Sequence, residues 1–355
     1  MSNVVSREIR LKSYPVGIPN DRDFELIETT VPEPKHGEVL VRNIYMSVDP
    51  YMRVRMTNQQ SYMPSFRLGQ TLEGGSVGQV VLSKNADFRT GEFVFSNRGW
   101  REHYVCDASE LMKLNPSVAP IQAHLGIIGM TGLTAYVGLL EIGQLKEGDT
   151  VFISAASGSV GAAACQIAKI KGCRVIGSAG SSEKVAWLKD EVGIDESFNY
   201  RLTENIAVEL GRRCPNGIDV YFDNVGGEHL EAALAHMNSF GRIVLCGMIS
   251  QYNATEVAPG PRNLRVAVRK RLTLKGFIVS DHLDLQSQFY SDMARWISET
   301  KIKWKETIFE GIENAPKALI GLFQGENLGK MLVKIGPDTA HPVDLQRLST
   351  ACQTY

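Results

Sequence analysis

The sequence lacks the features that mark a membrane, secreted or nucleic-acid-binding protein. No apolar run approaches the length of a membrane span, and Met1–Lys12 has no apolar signal core. The formal net charge is −1 over 355 residues, so no field of one sign attracts nucleic acid or an anionic membrane. The one dense basic stretch, Arg262–Arg271, is interpreted as a solvated helix face before a strand. These absences favour a soluble globular protein, long enough for two domains.

Cysteine and histidine are too scattered to suggest a cross-linked or metal-bound fold. The six cysteines form no CxxC pair, and the seven histidines form no close ligand pattern with them. A catalytic zinc needs about three convergent ligands, and a structural zinc needs about four close cysteines. We therefore predict free thiols, a cytoplasmic location and no metal. Without a Lewis acid to activate an alcohol, the sequence favours a hydride transfer that creates an enolate held by hydrogen bonds.

The sequence changes character twice, without the repeats of a solenoid. Residues 1–125 contain short β-like runs broken by Pro and Gly. Residues 126–300 alternate apolar strands with helical patterns, which predicts a doubly wound parallel sheet, an α/β fold. Residues 301–355 return to strand and loop, with a C-terminal tail, and are predicted to complete the first domain. The predicted strands of the alternating region are Val151–Ser154, Arg174–Ser178, Ser197–Tyr200, Ile218–Phe222, Arg242–Cys246 and Leu272–Val279.

The first of these strands runs into a glycine motif, Ser154–Gly161 (SAASGSVG), and a helix follows at once. Gly158 lets backbone N–H groups approach a pyrophosphate, and the helix N-terminus adds its dipole. Gly161 allows the helix to pack closely against the strand. A tight turn that binds nothing is the alternative. The placement of the motif between a buried strand and an amphipathic helix favours a dinucleotide site.

The end of the second strand indicates which dinucleotide binds. NAD sites usually place a carboxylate there, about twenty residues past the glycines. Here the strand ends in Ala179–Ser182 with no carboxylate, and Glu183 is predicted to open the next helix. Lys184 stands in the first turn of that helix, where the dipole disfavours a cation. A bound 2′-phosphate would explain this lysine, whereas a solvated lysine is the alternative. The sequence therefore predicts NADPH.

Several sequence blocks make the chain similar to a known family. They are Ser47–Arg53 (SVDPYMR), Leu72–Gly75 (LEGG), Asp223–Gly227 (DNVGG), Cys246–Asn253 (CGMISQYN) and Gly325–Lys330 (GENLGK). Through about Ile335 the chain resembles the zinc-independent medium-chain dehydrogenase/reductase superfamily. Within it, the chain is similar to the prostaglandin reductase and alkenal double-bond reductase group, bacterial NADPH-dependent curcumin reductases included. Zinc-dependent relatives carry a ligand cysteine and a histidine at the first two blocks, and this sequence has neither there.

The resemblance implies a GroES-like catalytic domain, a Rossmann domain, a homodimer through edge strands near Leu272–Val279, and roles for individual residues. Tyr252 would be the catalytic residue. The implied substrate-binding residues are Tyr51, Tyr62, Asn97, Arg98, Tyr252 and Ile278. The implied cofactor-binding residues are Met130, Thr134, Ser157, Gly158, Ser159, Val160, Gly161, Gly180, Lys184, Tyr200, Asn224, Cys246, Gly247, Met248, Ile249, Ser250, Tyr252, Phe277, Ile278, Val279 and Asn327. Ser157 and Ser159 replace small apolar residues common in the family and are expected to change the phosphate hydrogen bonds.

Some of these residues have alternative roles. Tyr51 could pack against Pro50 in the core, and Asn327 could serve only a turn between two glycines. Tyr62 lies in a predicted mobile loop, Thr57–Pro64. Tyr252 follows a strand end, where doubly wound sheets bind their ligands.

The resemblance implies reduction of the carbon–carbon double bond of an α,β-unsaturated ketone or aldehyde. The carbonyl would lie between the two domains, with the β-carbon over the nicotinamide. Hydride would go to that carbon, and Tyr252 with the cofactor ribose hydroxyl would stabilise the enolate. Tyr252 or water would then supply the proton to the α-carbon. A zinc-free quinone reductase is an alternative, against which the DPYMR and SQYN blocks argue. A non-catalytic NADPH-binding protein is the second alternative.

Overall fold

A computed structural model describes residues 4–338 of the chain. Within them, one compact unit comprises residues 4–125, 306–327 and 331–338, and a second comprises residues 126–305 and 328–330. In the part of the chain described, no helix is long and apolar enough to cross a membrane. His341, Cys352 and most of the tail after Gly336 lie outside the described residues.

Strands and helices are numbered along the chain. The strands are β1 (Val4–Leu11), β2 (Phe24–Val31), β3 (Glu38–Ser47), β4 (Ser76–Ser83), β5 (Phe93–Ser96), β6 (His103–Asp107), β7 (Met112–Lys113), β8 (Thr150–Ile153), β9 (Arg174–Ala179), β10 (Glu196–Asn199), β11 (Ile218–Asp223), β12 (Met237–Leu245), β13 (Thr273–Gly276), β14 (Glu306–Glu310) and β15 (Lys330–Lys334). The helices are α1 (Tyr51–Arg55), α2 (Met130–Val137), α3 (Ser159–Ile170), α4 (Ser182–Trp187), α5 (Ile206–Arg213), α6 (Gly227–His236), α7 (Arg265–Lys270), α8 (Gln286–Ser298) and α9 (Ala315–Gln324).

The second unit is built on a six-stranded parallel sheet in the order β10-β9-β8-β11-β12-β13. Its central strands are apolar runs whose side chains, such as Phe152 and Tyr221, are fully buried. Both rings belong to one apolar cluster with Leu230 and Leu234 of α6. Apolar strands covered on their faces by helices are typical of a doubly wound sheet. The predicted parallel sheet is therefore confirmed.

The first unit is β-rich. Six strands of its seven-stranded sheet follow the order β14-β15-β3-β4-β5-β7, and the seventh, β6, pairs with β3. Strands β1 and β2 form a separate antiparallel pair. Its main core joins Trp100, Met52 and Leu319. The chain therefore leaves this unit after Leu125 and returns to it at β14.

Two elements differ from the predictions. The segment predicted as strand and loop contains a ten-residue helix, α9, in which Ala315, Ala318, Leu319 and Leu322 face the core at helical spacing. Phe277–Val279 was predicted to end a strand, but β13 ends at Gly276 and a 3-10 helix begins at Val279. The strand pairs with β12 only as far as Leu245 opposite Gly276. Beyond Gly276 no described residue continues the strand pairing, although Ile278 is still extended just before the 3-10 helix.

Candidate cofactor and active site

The glycine motif forms a tight turn between β8 and α3. Ala155 adopts a left-handed φ of 48°, and α3 begins at Ser159. A Cβ at position 161 would lie 2.3 Å from the Ala155 carbonyl oxygen and 2.8 Å from the Ala156 Cα. Only glycine permits this close packing. As a result, the unpaired N–H groups of the first turn of α3 lie directly after the turn, where a pyrophosphate can bind.

The Ser159 hydroxyl is engaged within the protein. It lies 2.7 Å from the Thr131 hydroxyl, and Thr131 donates its own proton to the Gly126 carbonyl oxygen at 2.8 Å. Because each hydroxyl has one proton, Ser159 is the donor in this pair. The expectation that this hydroxyl changes the phosphate hydrogen bonds stays a prediction. Ser159 can still offer its backbone N–H to a phosphate.

The GENLGK block meets the glycine turn. The Gly329 N–H donates to the Ser157 carbonyl oxygen at 2.9 Å, and Gly329 forms an isolated parallel bridge with Gly158. The next N–H, of Lys330, donates to the Lys305 carbonyl oxygen at 2.9 Å. The sequence analysis did not predict the contact between Gly329 and Ser157, although Gly329 lies in the GENLGK block. Asn327, in the same block, belongs to the β-rich unit, and its role at the cofactor stays a prediction.

The residues predicted to lie near the 2′-phosphate, Gly180, Lys184 and Tyr200, follow the ends of β9 and β10. We call this place the 2′-phosphate corner. Ser181 caps α4 by accepting the Lys184 N–H at 3.3 Å, which places Lys184 in the first turn as predicted. The Tyr200 hydroxyl would lie 3.2 Å from a Cβ added at Gly180. Burial, and then the positive charge of Arg201, lower the pKa of Lys184 below its ordinary value, while Glu183 opposes them. Arg201 was not among the predicted site residues. Its position directly after Tyr200, a predicted cofactor-binding residue, could have indicated that it lies near the cofactor.

A buried carboxylate organises the DNVGG loop. Asp223 Oδ1 accepts the Tyr221 hydroxyl at 2.7 Å and the N–H groups of Val225 and Gly226 at 2.9 and 2.8 Å. Burial is the main cause of the raised pKa of Asp223. Asn224 is fixed through Ser154, whose hydroxyl accepts its N–H at 2.9 Å and whose carbonyl oxygen accepts its side-chain amide at 2.8 Å. The loop is therefore rigidly held at the carboxyl edge of the sheet.

The loop Cys246–Tyr252 lies directly beside the DNVGG loop. The N–H groups of Cys246 and Gly247 donate to the Asp223 carbonyl oxygen at 2.9 and 3.0 Å. The Ser250 N–H donates to the Val225 carbonyl oxygen at 3.2 Å. Burial raises the pKa of the Cys246 thiol to about 12. The two blocks thus form one surface at the ends of β11 and β12.

Tyr252 folds back onto this loop. Its hydroxyl oxygen accepts the Met248 N–H at 3.3 Å and would lie 3.1 Å from a Cβ added at Gly247. Burial is the main cause of its raised pKa, so the hydroxyl stays protonated at neutral pH. Ile249, between them, donates its N–H to the Asn224 carbonyl oxygen at 3.3 Å. The predicted catalytic tyrosine is thus held by the same backbone that carries the predicted nicotinamide residues.

The remaining predicted cofactor residues of this unit lie on two elements. Met130 opens α2 with 45% of its surface exposed, and Thr134 donates its hydroxyl proton to the Met130 carbonyl oxygen at 2.7 Å. Phe277 packs close to Gly138, where an added Cβ would lie 3.0 Å from its ring. Ile278 and Val279 follow at the start of the 3-10 helix.

Four predicted substrate residues lie in the β-rich unit. Tyr51 opens α1 and packs against the Trp100 core cluster, so the alternative of a core tyrosine has support. Tyr62 is 55% exposed. The carbonyl oxygen of Asn97 accepts the Gly74 N–H at 3.2 Å. Arg98 donates twice to Glu110, at 2.9 and 2.7 Å. It also lines a cavity of about 330 Å³ together with Arg10, Gly69, Gln70, Thr71, Glu73 and Arg101. The four substrate roles stay predictions.

Metal ligands do not converge in residues 4–338. No group of three or more histidine, cysteine or carboxylate side chains there could hold a metal ion. At the LEGG block, a Cβ at Gly74 would lie 2.4 Å from the Met52 Cε, so apolar packing occupies the space beside it.

Comparison with known proteins identifies the family to which this fold belongs. A family described as the N-terminal domain of oxidoreductase matches residues 7–114, and one described as zinc-binding dehydrogenase matches residues 159–299. A putative NADP-dependent oxidoreductase of Bacillus subtilis is 48% identical over 93% of this chain and 97% of its own length. The NADPH-dependent curcumin reductase of Escherichia coli is 41% identical, with coverage of 92% and 96%. The chain belongs to the medium-chain dehydrogenase/reductase superfamily.

Further relatives place the chain within that superfamily. Bovine prostaglandin reductase 1 is 44% identical over 91% of this chain and 97% of its own length. The crystal structure of CurA from Vibrio vulnificus in complex with NADPH matches with a TM-score of 0.89 and 42% identity, and covers 94% of this chain and 100% of that one. The predicted membership of the prostaglandin reductase and alkenal reductase group, and the predicted Rossmann and β-rich architecture, are therefore confirmed.

Proposed function

We propose that this medium-chain reductase uses NADPH to reduce the carbon–carbon double bond of α,β-unsaturated ketones and aldehydes. The observation that carries the proposal is the position of Tyr252, whose protonated hydroxyl is held against the loop that follows β12, beside the loop that follows β11. Ligands of doubly wound sheets bind at this edge. Curcumin, alkenals and oxo-prostaglandins share one reactive group, a double bond conjugated to a carbonyl, and relatives are named for reducing such compounds.

The residues present fit NADPH. The first-turn N–H groups of α3 bind the pyrophosphate, and Lys184 with Tyr200 binds the 2′-phosphate. Asn224 and the backbone of Cys246–Tyr252 hold the nicotinamide half. When bound, NADPH would supply the hydride that reduces the double bond.

The protein stabilises the charge that develops on the substrate. As the β-carbon accepts hydride, negative charge accumulates on the carbonyl oxygen, and the Tyr252 hydroxyl donates a hydrogen bond to it. The Met248 N–H donates to the oxygen of Tyr252 and thereby strengthens the hydroxyl as a donor. Cys246 does not compete for the substrate, because its thiol stays protonated and only a thiolate adds readily to an electrophilic alkene. The α-carbon then takes its proton from Tyr252 or water.

A direct assay tests the proposal. The purified protein is mixed with NADPH and an enone, the loss of nicotinamide absorbance is followed, and the product is identified by mass and NMR. A saturated ketone with an intact carbonyl is expected. Reduction of quinones but not of enones would favour the quinone reductase, and NADPH binding without turnover of either would favour a non-catalytic protein.

Assembly and location are part of the same proposal. A homodimer would use the edge strand of the parallel sheet, β13, whose outer side has no strand partner in residues 4–338. The adjoining α7 leaves Val268 82% exposed. Light scattering on the purified protein tests the dimer. A cytoplasmic location agrees with the free thiols of the described cysteines and is tested by fractionation.

A further inference from the structure

The parallel pairing of β9 and β10 brings a second cation to the 2′-phosphate corner. Asn199, at the end of β10, is opposite Ala179, at the end of β9. The residues that follow the two strands therefore meet. A Cβ added at Gly180 would lie 3.2 Å from the Tyr200 hydroxyl and 3.4 Å from the Arg201 Nε. The backbone of Gly180 leaves this space open to both groups.

The turn after β10 brings Arg201 next to Tyr200. Its N–H donates to the Asn199 side-chain oxygen at 3.0 Å, which forms the turn after β10. Its guanidinium lies 6.0 Å from the centre of the Tyr200 ring, and that ring meets His229 edge-on at 5.0 Å. Burial lowers the pKa of His229 to about 4, so His229 is neutral at physiological pH and adds no charge to the corner.

Arg201 and Lys184 sense each other's charge. Burial is the largest cause of the lowered pKa of Lys184, the positive charge of Arg201 is the next, and Glu183 acts in the opposite direction. Two positive charges near one strand end disfavour each other. A phosphate monoester carries a charge of about −1.5 to −2 near pH 7 and presents three acceptor oxygens. Such a dianion relieves this repulsion, whereas a ribose hydroxyl does not.

We propose that Arg201 is a specificity-determining residue that binds the 2′-phosphate together with Lys184 and selects NADPH over NADH. The proposal rests on NADPH as the cofactor. Arg201 supplies charge-assisted hydrogen bonds that NADH has no group to accept. The two residues thus take the place of the carboxylate that usually selects NAD at this strand end.

Binding measured without turnover tests the proposal. Calorimetry with NADP⁺, NAD⁺, 2′-AMP and 5′-AMP compares the wild type with Arg201→Gln, Arg201→Lys and Lys184→Ala. Arg212→Gln is the matched control, because Arg212 is an exposed arginine paired with Glu209 on α5. Arg201→Gln should weaken NADP⁺ and 2′-AMP binding roughly tenfold to a hundredfold. It should change NAD⁺ and 5′-AMP binding by less than about twofold, since neither ligand carries a 2′-phosphate. Arg201→Lys should keep part of the affinity.

The possible outcomes distinguish the role of Arg201 from the identity of the cofactor. If Arg201→Gln binds NADP⁺ as the wild type does while Lys184→Ala does not, Arg201 has no role at the phosphate, but NADPH remains the cofactor. Equal losses for NADP⁺ and NAD⁺ would mean that Arg201 contacts the adenine, which also contradicts the inference. A wild type that binds NAD⁺ as tightly as NADP⁺ would overturn the choice of NADPH itself. Added salt should weaken NADP⁺ binding less in Arg201→Gln than in the wild type.

Discussion

Tyr252 and Met248 are joined by a hydrogen bond in which the tyrosine is the acceptor. The Met248 N–H points at the hydroxyl oxygen, 3.3 Å away. A tyrosine hydroxyl that accepts a bond in this way keeps its own proton for another partner. Burial raises the pKa of Tyr252, so that proton is present throughout the physiological range. The pair therefore presents a donor at the end of β12 in advance of substrate binding.

Removal of this hydroxyl should slow the chemical step. Tyr252→Phe should lower kcat roughly tenfold to a hundredfold, because the lost donor acts on charge that develops in the transition state. NADPH affinity should stay nearly constant. Steady-state kinetics and NADP⁺ titration measure the two quantities. Tyr45→Phe, which removes a hydroxyl bonded to Asp338 in the β-rich unit, serves as the control. The defect should shrink for acceptors that form more stable enolates. A variant with unchanged kcat that lost only substrate affinity would make Tyr252 a packing residue.

Loss of the lysine in the 2′-phosphate corner should affect one cofactor selectively. Lys184→Ala should raise the KM for NADPH strongly and leave that for NADH almost unchanged. A hydrogen bond to a charged group contributes about 1.5–3 kcal/mol, which is about tenfold to over a hundredfold in affinity. Parallel assays with the two cofactors measure the effect. Similar losses for both cofactors would place the 2′-phosphate elsewhere.

The lowered pKa of Lys184 predicts a pH dependence of cofactor binding. Below this pKa the ammonium is charged and attracts the phosphate. As the pH rises through it the charge disappears, and because the pKa is lowered this happens at a lower pH than for an ordinary lysine. NADP⁺ affinity should therefore fall at a lower pH than an ordinary lysine would give, while NAD⁺ affinity stays level. Lys184→Arg, which keeps its charge, should flatten the profile. An equal alkaline loss in Lys184→Arg would assign the titration to another group.

The two glycines of the predicted phosphate-binding turn, Gly158 and Gly161, should respond differently to alanine. Gly161→Ala places a Cβ 2.3 Å from the Ala155 carbonyl oxygen, and such overpacking costs about 1–3 kcal/mol of folding stability. Gly158→Ala meets only that same oxygen, at 3.3 Å, and position 158 has an ordinary φ of −77°. It should keep most of the stability but weaken NADP⁺ binding, because its Cβ lies on the approach to the phosphate. Thermal unfolding and calorimetry distinguish the two. A Gly161→Ala protein with the wild-type Tm would show that α3 is not closely packed on the turn.

Activity should not depend on a metal ion. Extended dialysis against a chelator should leave turnover of an enone unchanged, and elemental analysis should find well under one zinc per chain. Restoration by zinc of activity lost to the chelator would contradict this, and so would a stoichiometric zinc content.

Local sequence patterns were sufficient for the elements that one stretch of chain determines. Apolar runs predicted the strands β8 to β12, and the glycine spacing predicted the turn before α3, since burial periodicity and close backbone approach are encoded by neighbouring residues. The helix α9 was missed, although Ala315, Ala318 and Leu319 have helical spacing. The end of β13 was placed too late because the extent of a strand depends on its partner, and the pairing with β12 stops at Gly276.

The sequence by itself determined the parallel-sheet domain and the glycine turn before α3, and its resemblance to a family predicted the class of reaction. Only the tertiary structure decided which distant residues meet at these features. The register of β9 and β10 places Arg201 beside Gly180. The Ser159 hydroxyl forms a hydrogen bond with the Thr131 hydroxyl. The N–H of Gly329, far along the chain, donates to the Ser157 carbonyl oxygen and so stabilises the glycine turn. Such contacts join residues separated by 20 or more positions, and their cause is the packing of whole elements, which no local pattern records.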